Sequence, residues 1–158
     1  RREPPKPEYL LLSEWLTDFV GGYLKTLNRP AEVTIDCNYP ELLVEFDPEN
    51  LQRVIANLLD NALRHSKLAS GKEAARIKVS LDFVGQQCML DVIDIGAGVP
   101  PQDQEKLFEP FFTTVEEGSG MGLFLCQELC EINNANLSYR PTDGGESCFR
   151  ISMNQRAL

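Results

Sequence analysis

The sequence predicts an α/β sandwich in which helices cover one face of a mixed β-sheet. Apolar residues recur with helical spacing and with strand-like alternation in the order helix, two strands, helix, two strands, helix, two strands. The 158 residues are enough for one domain with a hydrophobic core. With 42% hydrophobic and 25% charged residues, the composition is typical of a globular chain.

Both ends of the chain are polar and are predicted to lie outside this domain. Residues 1–12 begin with RREPPKPEY, whose prolines and mixed charges predict a linker, and residues 155–158 form a short tail. The domain is therefore expected to span residues 13–154. No apolar run approaches the ~20 residues of a membrane span, and the chain does not open with a signal-peptide pattern.

The first half of the domain is predicted to contain two helices and two strands. Ser13 is expected to cap the first helix, which ends near Leu27. Alternation in EVTIDC and LLVEFD predicts the strands. Asp47-Pro48-Glu49 then places an acid at the N-cap and a proline at the first helical position, which predicts a second helix. This helix is expected to end near His65, before a polar loop over 66–75.

The second half is predicted to contain two strand pairs around a helix. IKVSLDFV and QCMLDVIDI form a hairpin through Gly85-Gln86, and a loop with a short helix covers 96–106. A helix is expected from about Gly120 to Ile132. The final strands, ANLSYR and SCFRISM, flank a turn around Gly144-Gly145.

Charge and cysteine content narrow the class of protein. Fifteen Lys and Arg residues against 24 Asp and Glu give a net charge of −9. Such an acidic domain lacks the basic surface that binds nucleic acid, so no nucleic-acid partner is expected. It can bind a polyanion only by concentrating donors and a metal ion locally. The five cysteines are expected to be reduced thiols in the core.

Two asparagines on the second helix are candidate metal ligands. The apolar stripe of this helix comprises Leu51, Val54, Ile55, Leu58, Leu59, Ala62 and Leu63. Asn57 and Asn61 lie one turn apart beside it, although asparagine is a mediocre helix former. Their carboxamide oxygens would be hard ligands for Mg²⁺ if they face a cleft. The spacing is equally compatible with surface amides that have no role.

The stretch DVIDIGAGVP predicts a second candidate site. Asp94 ends a strand, and Gly96 and Gly98 follow in a tight turn that permits a ligand to approach the backbone. A carboxylate at a strand end can accept hydrogen bonds from an amino group, such as the exocyclic amine of a purine. The alternative is an ordinary Asp-Gly turn.

The stretch LFEPFFTTVEEGSGMGLFLC combines aromatic residues with a glycine-rich helix start. Residues 113–118 are short and polar, which predicts a mobile lid. Gly118, Gly120 and Gly122 precede an apolar helix. Glycines at a helix N-terminus let backbone N–H groups approach a phosphate. A flexible linker into a helix is the alternative.

Together, the order and spacing of these motifs resemble the ATP-binding catalytic domain of sensor histidine kinases. That domain has the Bergerat fold, which gyrase, heat-shock chaperone and mismatch-repair ATPases share. Asn57 and Asn61 match its asparagine box, Asp94 to Gly98 its first glycine box, 108–112 its phenylalanine box and 118–122 its second glycine box. The resemblance covers about Glu14 to Ser152. The short lid is similar to that of the nitrogen-regulator branch. The run ELCEINNANLSYRP with GGESCFRI is similar to kinases that govern type IV pilin transcription.

The resemblance implies a role for each motif residue. Asp94 would bind the adenine amine, with Ser147 beneath the ring, and Asn61, supported by Asn57, would hold the Mg²⁺ that bridges the phosphates. Arg64 and His65 would lie beside the phosphates. The implied catalytic residues are Asn57, Asn61, Arg64 and His65. The implied nucleotide-binding residues are Asp94, Gly96, Gly98, Phe112, Gly118, Ser119, Gly120, Met121, Gly122, Leu123 and Ser147. The implied cofactors are ATP and Mg²⁺.

The resemblance also implies partners. The γ-phosphoryl group would pass to a histidine on a separate dimeric hairpin, from which residues 1–12 would lead, and then to a response regulator. This chain would lie on the cytoplasmic side of a kinase anchored in the inner membrane, and alone it would be monomeric and unable to phosphorylate itself.

Some residues depart from the family pattern and leave alternatives open. Val115 stands where a lysine is usual, and Glu116 and Glu117 add negative charge to the lid. Met121 replaces the usual leucine. Glu146 replaces a glycine and could crowd or recharge the adenine turn. An ATP-dependent conformational module and a degenerate nucleotide-binding domain are the alternative functions.

Overall fold

The computed structural model describes residues 3–82, 84, 86–112 and 122–156. The described residues form seven strands and four helices. In chain order they are β1 (Glu8–Leu11), α1 (Leu12–Leu27), β2 (Glu32–Asp36), β3 (Leu43–Phe46), α2 (Pro48–Ser70), β4 (Ala74–Asp82), β5 (Gln87–Asp94), α3 (Pro101–Gln104), α4 (Gly122–Ile132), β6 (Asn136–Tyr139) and β7 (Cys148–Arg156).

The strands form one mixed sheet in the order β1-β3-β7-β5-β4-β2, with β6 paired to β7. The pair β2 and β4 is parallel, and the other described pairs are antiparallel. The central strand β5 pairs with β4 and β7, so that Val92 lies opposite both Ile77 and Phe149. The last residue of β5 is Asp94, which places the candidate carboxylate at the end of a central strand.

Helices α1, α2 and α4 pack on one face of the sheet, as predicted. Residues of β4 and β5 that face these helices are buried beneath them, including Ile77 and Leu90. The whole apolar stripe of α2 is buried, and α1 adds Leu16 to the same core. The opposite face carries a bidentate ion pair between Arg150 and Asp91 at 2.8 and 3.0 Å.

The structure corrects the predicted chain ends. Residues 8–11 form β1, which pairs with β3, although they lie in the segment expected to be a linker. At the other end, β7 continues through residues 155 and 156 of the expected tail, because both pair with β3. Ser13 does not cap α1. The cap position is Leu11, which makes no capping side-chain hydrogen bond.

Helix α2 begins as predicted but continues beyond His65. The Asp47 carboxylate accepts hydrogen bonds from Glu49 N and Asn50 N, so this cap is confirmed. The helix ends at Ser70, and Gly71 follows in the left-handed conformation with φ of 80°. Ser66 is fully buried, and its Oγ donates to the carbonyl oxygen of residue 72 at 2.7 Å. This contact binds the extra turn of α2 to the start of β4.

The described residues bear on two further expectations. The five cysteines are free thiols, and four of them are buried. Burial raises the pKa of Cys126 to about 12, so its thiol stays protonated at neutral pH. Among the described residues, no helix combines the length and the apolar character needed to cross a membrane.

Candidate functional site

Asp94 is a buried carboxylate at the end of β5. Its side chain is 3% exposed, and its Oδ1 accepts a 2.6 Å hydrogen bond from Gly96 N. A Cβ on residue 96 would lie 2.7 Å from that oxygen, so only glycine fits this turn without displacement. Burial raises the pKa of Asp94 to about 6, despite the hydrogen bond from Gly96, and the charge of Glu146 raises it further.

Ser147 lies beside Asp94 on the neighbouring strand segment. Its carbonyl oxygen accepts from Asp94 N at 3.0 Å, and its side chain is 1% exposed. The Ser147 Oγ makes no hydrogen bond to the described residues. A buried hydroxyl without a protein partner beside a buried carboxylate indicates a place where a polar ligand is expected to complete the bonding.

Glu146, the residue before Ser147, is directed to the face of the sheet that carries Arg76. Its carboxylate accepts a 3.3 Å hydrogen bond from Arg76 and lies near the Thr142 hydroxyl. Its negative charge contributes to raising the pKa of Asp94.

His65 adjoins the same carboxylate. Its Nδ1 lies 4.0 Å from Asp94 Oδ2, and its Cβ would be 3.2 Å from a Cβ on residue 96. Burial, with a smaller contribution from Arg64, holds the pKa of His65 below its usual 6.5, so the ring is neutral at pH 7 and the contact is no ion pair. The structure thus places His65 next to the residue expected to bind adenine, whereas the resemblance placed it beside the phosphates.

An open cavity of 280 Å³ lies between the end of α2 and the loop after β5. It is lined by His65, Leu68, Ala69, Ala97, Gly98, Val99 and Pro100. Gly98 adopts φ of 81°, a conformation that L side chains rarely adopt. The Tyr139 hydroxyl accepts from Val99 N at 3.0 Å and so holds this loop in place. Apart from His65, the lining is mainly apolar, as in most small-molecule pockets.

The asparagines of α2 lie further along the same side of the helix. Asn57 Nδ2 donates to Arg53 O at 3.0 Å, and a Cβ on Gly122 would lie 3.6 Å from Asn57 Oδ1. The first residue of α4 therefore lies beside Asn57. Asn61 Oδ1 accepts a 2.6 Å hydrogen bond from the exposed Arg64 guanidinium. The Asn57 amide oxygen thus lies near the start of α4, and a helix N-terminus favours negative charge.

The aromatic residues before the lid have different environments. Phe108 makes an edge contact with Phe149 at 6.2 Å, and Phe112 packs against the core. Phe111 is 77% exposed and has φ of 67°. Leu123, in the first turn of α4, also packs against the core. Gly118, Ser119, Gly120, Met121 and the predicted lid lie outside the described residues.

Three residues of the pocket region are not predicted by the sequence pattern. Leu68 and Ala69 were placed in a loop but belong to the last turn of α2, where they line the cavity. Gly71 is the signal that could have located them, because glycine commonly follows the last turn of a helix. Tyr139 was noted only as part of a strand, and its link to Val99 depends on a contact across 40 residues.

The described groups lie along one side of α2. The buried Asp94 carboxylate adjoins His65, which lines the cavity, and Asn57 lies one helical turn before Asn61, beside the start of α4. The described residues contain no cluster of three His, Cys, Asp or Glu side chains that could hold a metal alone. The fold and the site define the class: an α/β sandwich with a buried carboxylate beside a small-molecule cavity.

Comparison with known families agrees with this class. Residues 46–157 match the family described as histidine kinase-, DNA gyrase B- and HSP90-like ATPase. The match covers more than half of the chain, so the chain belongs to this family of ATP-binding domains.

Its relatives include sensor kinases of three bacteria. The chain is 39% identical over 152 residues to sensor protein kinase PilS of Pseudomonas aeruginosa, with 96% of this chain and 29% of PilS covered. It is 34% identical to histidine protein kinase SaeS of Staphylococcus aureus, covering 84% of this chain and 39% of SaeS. For sensor protein KdpD of Escherichia coli the identity is 30%, with 92% and 17% covered. The chain thus spans less than half the length of these relatives.

Solved structures share the fold. The nucleotide-free catalytic domain of histidine kinase ThkA superposes with a TM-score of 0.78 at 20% identity, covering 94% of this chain and 95% of that one. Full-length ShkA in complex with AMPPNP superposes with a TM-score of 0.80 at 17% identity, covering all of this chain and 33% of ShkA. The predicted α/β sandwich and the histidine-kinase-like fold are confirmed.

Proposed function

We propose that this chain is the catalytic domain of a two-component sensor histidine kinase. It binds Mg-ATP and supplies the γ-phosphoryl group to a histidine on a separate helical hairpin. The observation that carries the proposal is the buried Asp94 carboxylate, which keeps one oxygen on Gly96 N and the other beside His65 at the cavity. Membership of the ATPase family and the sensor-kinase relatives support the same assignment.

Base recognition follows from the free oxygen of Asp94. Oδ2 accepts from the exocyclic amine of adenine, whereas guanine has an acceptor oxygen at that position and would face acceptor against acceptor. The unpartnered Ser147 Oγ completes the bonding at this end. His65 and Leu68 form apolar walls for the ring, and Gly96 and Gly98 let the backbone approach it.

The phosphate end comprises the asparagines of α2 and the start of α4. Carboxamide oxygens are hard ligands, and Mg²⁺ is usually held by one or two protein groups together with phosphate oxygens. Asn61 would hold the ion and Asn57 would support it. The ion would neutralise phosphate charge, which phosphoryl transfer requires. Arg64 would contact a phosphate, because its guanidinium donates a hydrogen bond to Asn61 Oδ1 and therefore lies at the proposed metal ligand.

The remaining predicted residues complete the phosphate site. Backbone N–H groups of Gly118, Ser119, Gly120, Met121, Gly122 and Leu123 are proposed to surround the phosphates. Phe112 is proposed to belong to the nucleotide-binding residues as well. These roles follow the family resemblance.

The partners belong to the longer protein. We infer a dimeric hairpin that carries the acceptor histidine, with the residues before β1 leading from it, and a response regulator that receives the phosphoryl group. The 39% identity to PilS favours control of type IV pilin transcription and a kinase anchored in the inner membrane, with this domain on the cytoplasmic side. Without its hairpin the domain is expected to be monomeric.

Calorimetry tests the first step of this function. Titration with Mg-ATP should show binding that is absent with Mg-GTP. Addition of a purified acceptor hairpin from the full-length kinase, with γ-labelled ATP, should then produce an acid-labile phosphohistidine on the hairpin. Absence of ATP binding up to millimolar concentration would overturn the proposal. Binding without phosphoryl transfer would favour an ATP-dependent conformational module.

A further inference from the structure

Asp47 joins three other segments of the chain through hydrogen bonds. Its Oδ1 accepts from Glu49 N at 2.9 Å and from Asn50 N at 3.2 Å, which caps α2. Its Oδ2 accepts from Lys6 N at 2.8 Å, in the segment that precedes β1. Its backbone N donates to Asn133 Oδ1 at 2.9 Å, just after α4. The hydrogen bonds of this one residue therefore reach beyond the helix that it caps.

The two helices that meet at Asp47 are those that frame the nucleotide site. Asn133 Nδ2 donates to Leu129 O at 2.8 Å, which makes this side chain an extension of α4. The same two helices also meet at the other end of α4, where Gly122 lies beside Asn57 of α2. A change in the Asp47–Asn133 contact would therefore alter the spacing of α2 and α4, and with it the separation of Asn57 from the start of α4.

The segment before β1 has a single backbone donor at this point. Pro4, Pro5 and Pro7 have no N–H group, so Lys6 provides the one amide hydrogen of the run PPKP. Lys6 N donates this hydrogen to Asp47 Oδ2. Prolines also hold the segment extended and stiff, so a displacement of the preceding chain is carried along it instead of being absorbed.

The chemistry of the carboxylate supports a role beyond capping. Serine caps a helix about as well as aspartate, because one side-chain oxygen is sufficient for the N–H groups of the first turn. Aspartate has a second oxygen, and here that oxygen binds Lys6 N while the first one caps α2. The residue type therefore matches the need for two simultaneous acceptors.

We propose that Asp47 is a positioning residue that couples the proline-rich N-terminal segment to the placement of α2 and α4 in the nucleotide site. This inference rests on the proposed function for its effect on ATP, but the coupling itself is structural. When Lys6 N is bound to Asp47, the two helices hold Asn57 and the start of α4 at the separation described above. When the segment is pulled away, that separation relaxes.

Substitutions at both partners separate coupling from capping. Lys6→Pro removes the donor and extends the proline run, while Lys6→Ala keeps the N–H and serves as its control. Asp47→Ser keeps the cap but cannot accept from Lys6 N as well. Two readouts apply: the side-chain amide signals of Asn57 and Asn61 in ¹⁵N NMR spectra without nucleotide, and the affinity for Mg-ATP.

Lys6→Pro and Asp47→Ser should each shift the Asn57 amide signals and weaken Mg-ATP binding by about fivefold, the lower end of usual coupling between sites. Lys6→Ala should do neither, and Lys6→Pro should add nothing in the Asp47→Ser background. If the NMR changes stay within a few residues of Lys6 and Asp47 and the affinity is unchanged, Asp47 is a cap only and the inference is wrong. If the unmodified chain binds no ATP, the proposed function fails, while the NMR comparison still decides whether the coupling exists.

Discussion

Gly96 N donates to Oδ1 of Asp94 at 2.6 Å, while Oδ2 of the same carboxylate lies 4.0 Å from His65 Nδ1. One oxygen is thus used by the protein's own turn, and the other stays at the side of His65, which lines the cavity. Because the two oxygens have different neighbours, the effect of replacing Asp94 by the isosteric asparagine can be predicted.

Asp94→Asn should abolish ATP binding without disturbing the fold. The amide oxygen of asparagine will stay on Gly96 N, because only an acceptor can bind that donor. The NH₂ group then takes the place of Oδ2 and faces the adenine amine, donor against donor. Calorimetry should show at least a hundredfold weaker binding, roughly the cost of an unpaired buried group. Retained affinity would show that Oδ2 does not bind the base.

The same substitution should stabilise the nucleotide-free protein at high pH. Because the pKa of Asp94 is raised from near 4 in the unfolded chain to about 6 in the folded state, its contribution to stability is fully present below about pH 4 and is lost as the pH rises from about 4 through 6. Asp94→Asn removes that loss, so its free energy of unfolding in urea should exceed that of the native sequence by on the order of 2 kcal/mol at pH 8. At pH 4, near the pKa of an aspartate in the unfolded chain, the gain should be much smaller. An equal gain at both values would mean that the carboxylate is not the cause.

The extent to which the fold could be predicted depends on how local its signals are. The start of α2 was predicted correctly, because Asp47 and Pro48 act on the turn next to them. Strand β1 was missed, since four residues after a proline carry little pattern and their partners in β3 lie more than 30 residues further along the chain, as in the pair of Glu8 with Phe46. The end of α2 was missed because Ser66 looks like a loop residue, although burial against β4 satisfies its hydroxyl.

The same distinction applies to the site. The motif around Asp94 and Gly96 was visible in the sequence, because a strand end and a tight turn are local features. The contact of His65 with Asp94 depends on how α2 packs over β5, which no short motif records. Likewise, only the sheet register shows that Glu146 is directed to the face that carries Arg76.

Gly96→Ala tests the close approach at the turn. The new Cβ would lie 2.7 Å from Asp94 Oδ1 and 3.2 Å from His65 Cβ, so both groups must move. We expect a loss of about 1–3 kcal/mol in the free energy of unfolding, as for other overpacked sites, and at least tenfold weaker ATP binding. Gly22→Ala in α1 is the matched control.

Nothing lies within 4 Å of a Cβ on Gly22, and the residue is inside a helix. This control should therefore stabilise the protein by about 0.5–1 kcal/mol and leave ATP binding unchanged. Equal effects of the two substitutions would contradict a specific role for Gly96.

His65 is expected to act as an apolar wall for the base. Its ring is half-buried, lines the cavity and is neutral at pH 7 because its pKa is lowered. His65→Phe should therefore retain most of the ATP affinity, whereas His65→Ala should lose roughly tenfold, the scale of one aromatic–base contact. Calorimetry at pH 7.5 compares them. If both variants lose the same amount, an imidazole nitrogen makes a specific bond instead.

Asn61→Ala should weaken ATP binding only when Mg²⁺ is present. Asn61 is the proposed protein ligand of the ion, and its Oδ1 already lies in a polar contact with Arg64 at 2.6 Å. Removal of the oxygen should reduce the affinity for Mg-ATP at least tenfold, while binding of ATP in EDTA should change little. Asn50→Ala on the same helix is the control, because the described contact of Asn50 with Asp47 uses its backbone N–H.

An equal loss with and without the ion would mean that Asn61 contacts the nucleotide directly and that other groups hold the metal. Arg64, no longer bonded to Asn61, would then be the next residue to substitute.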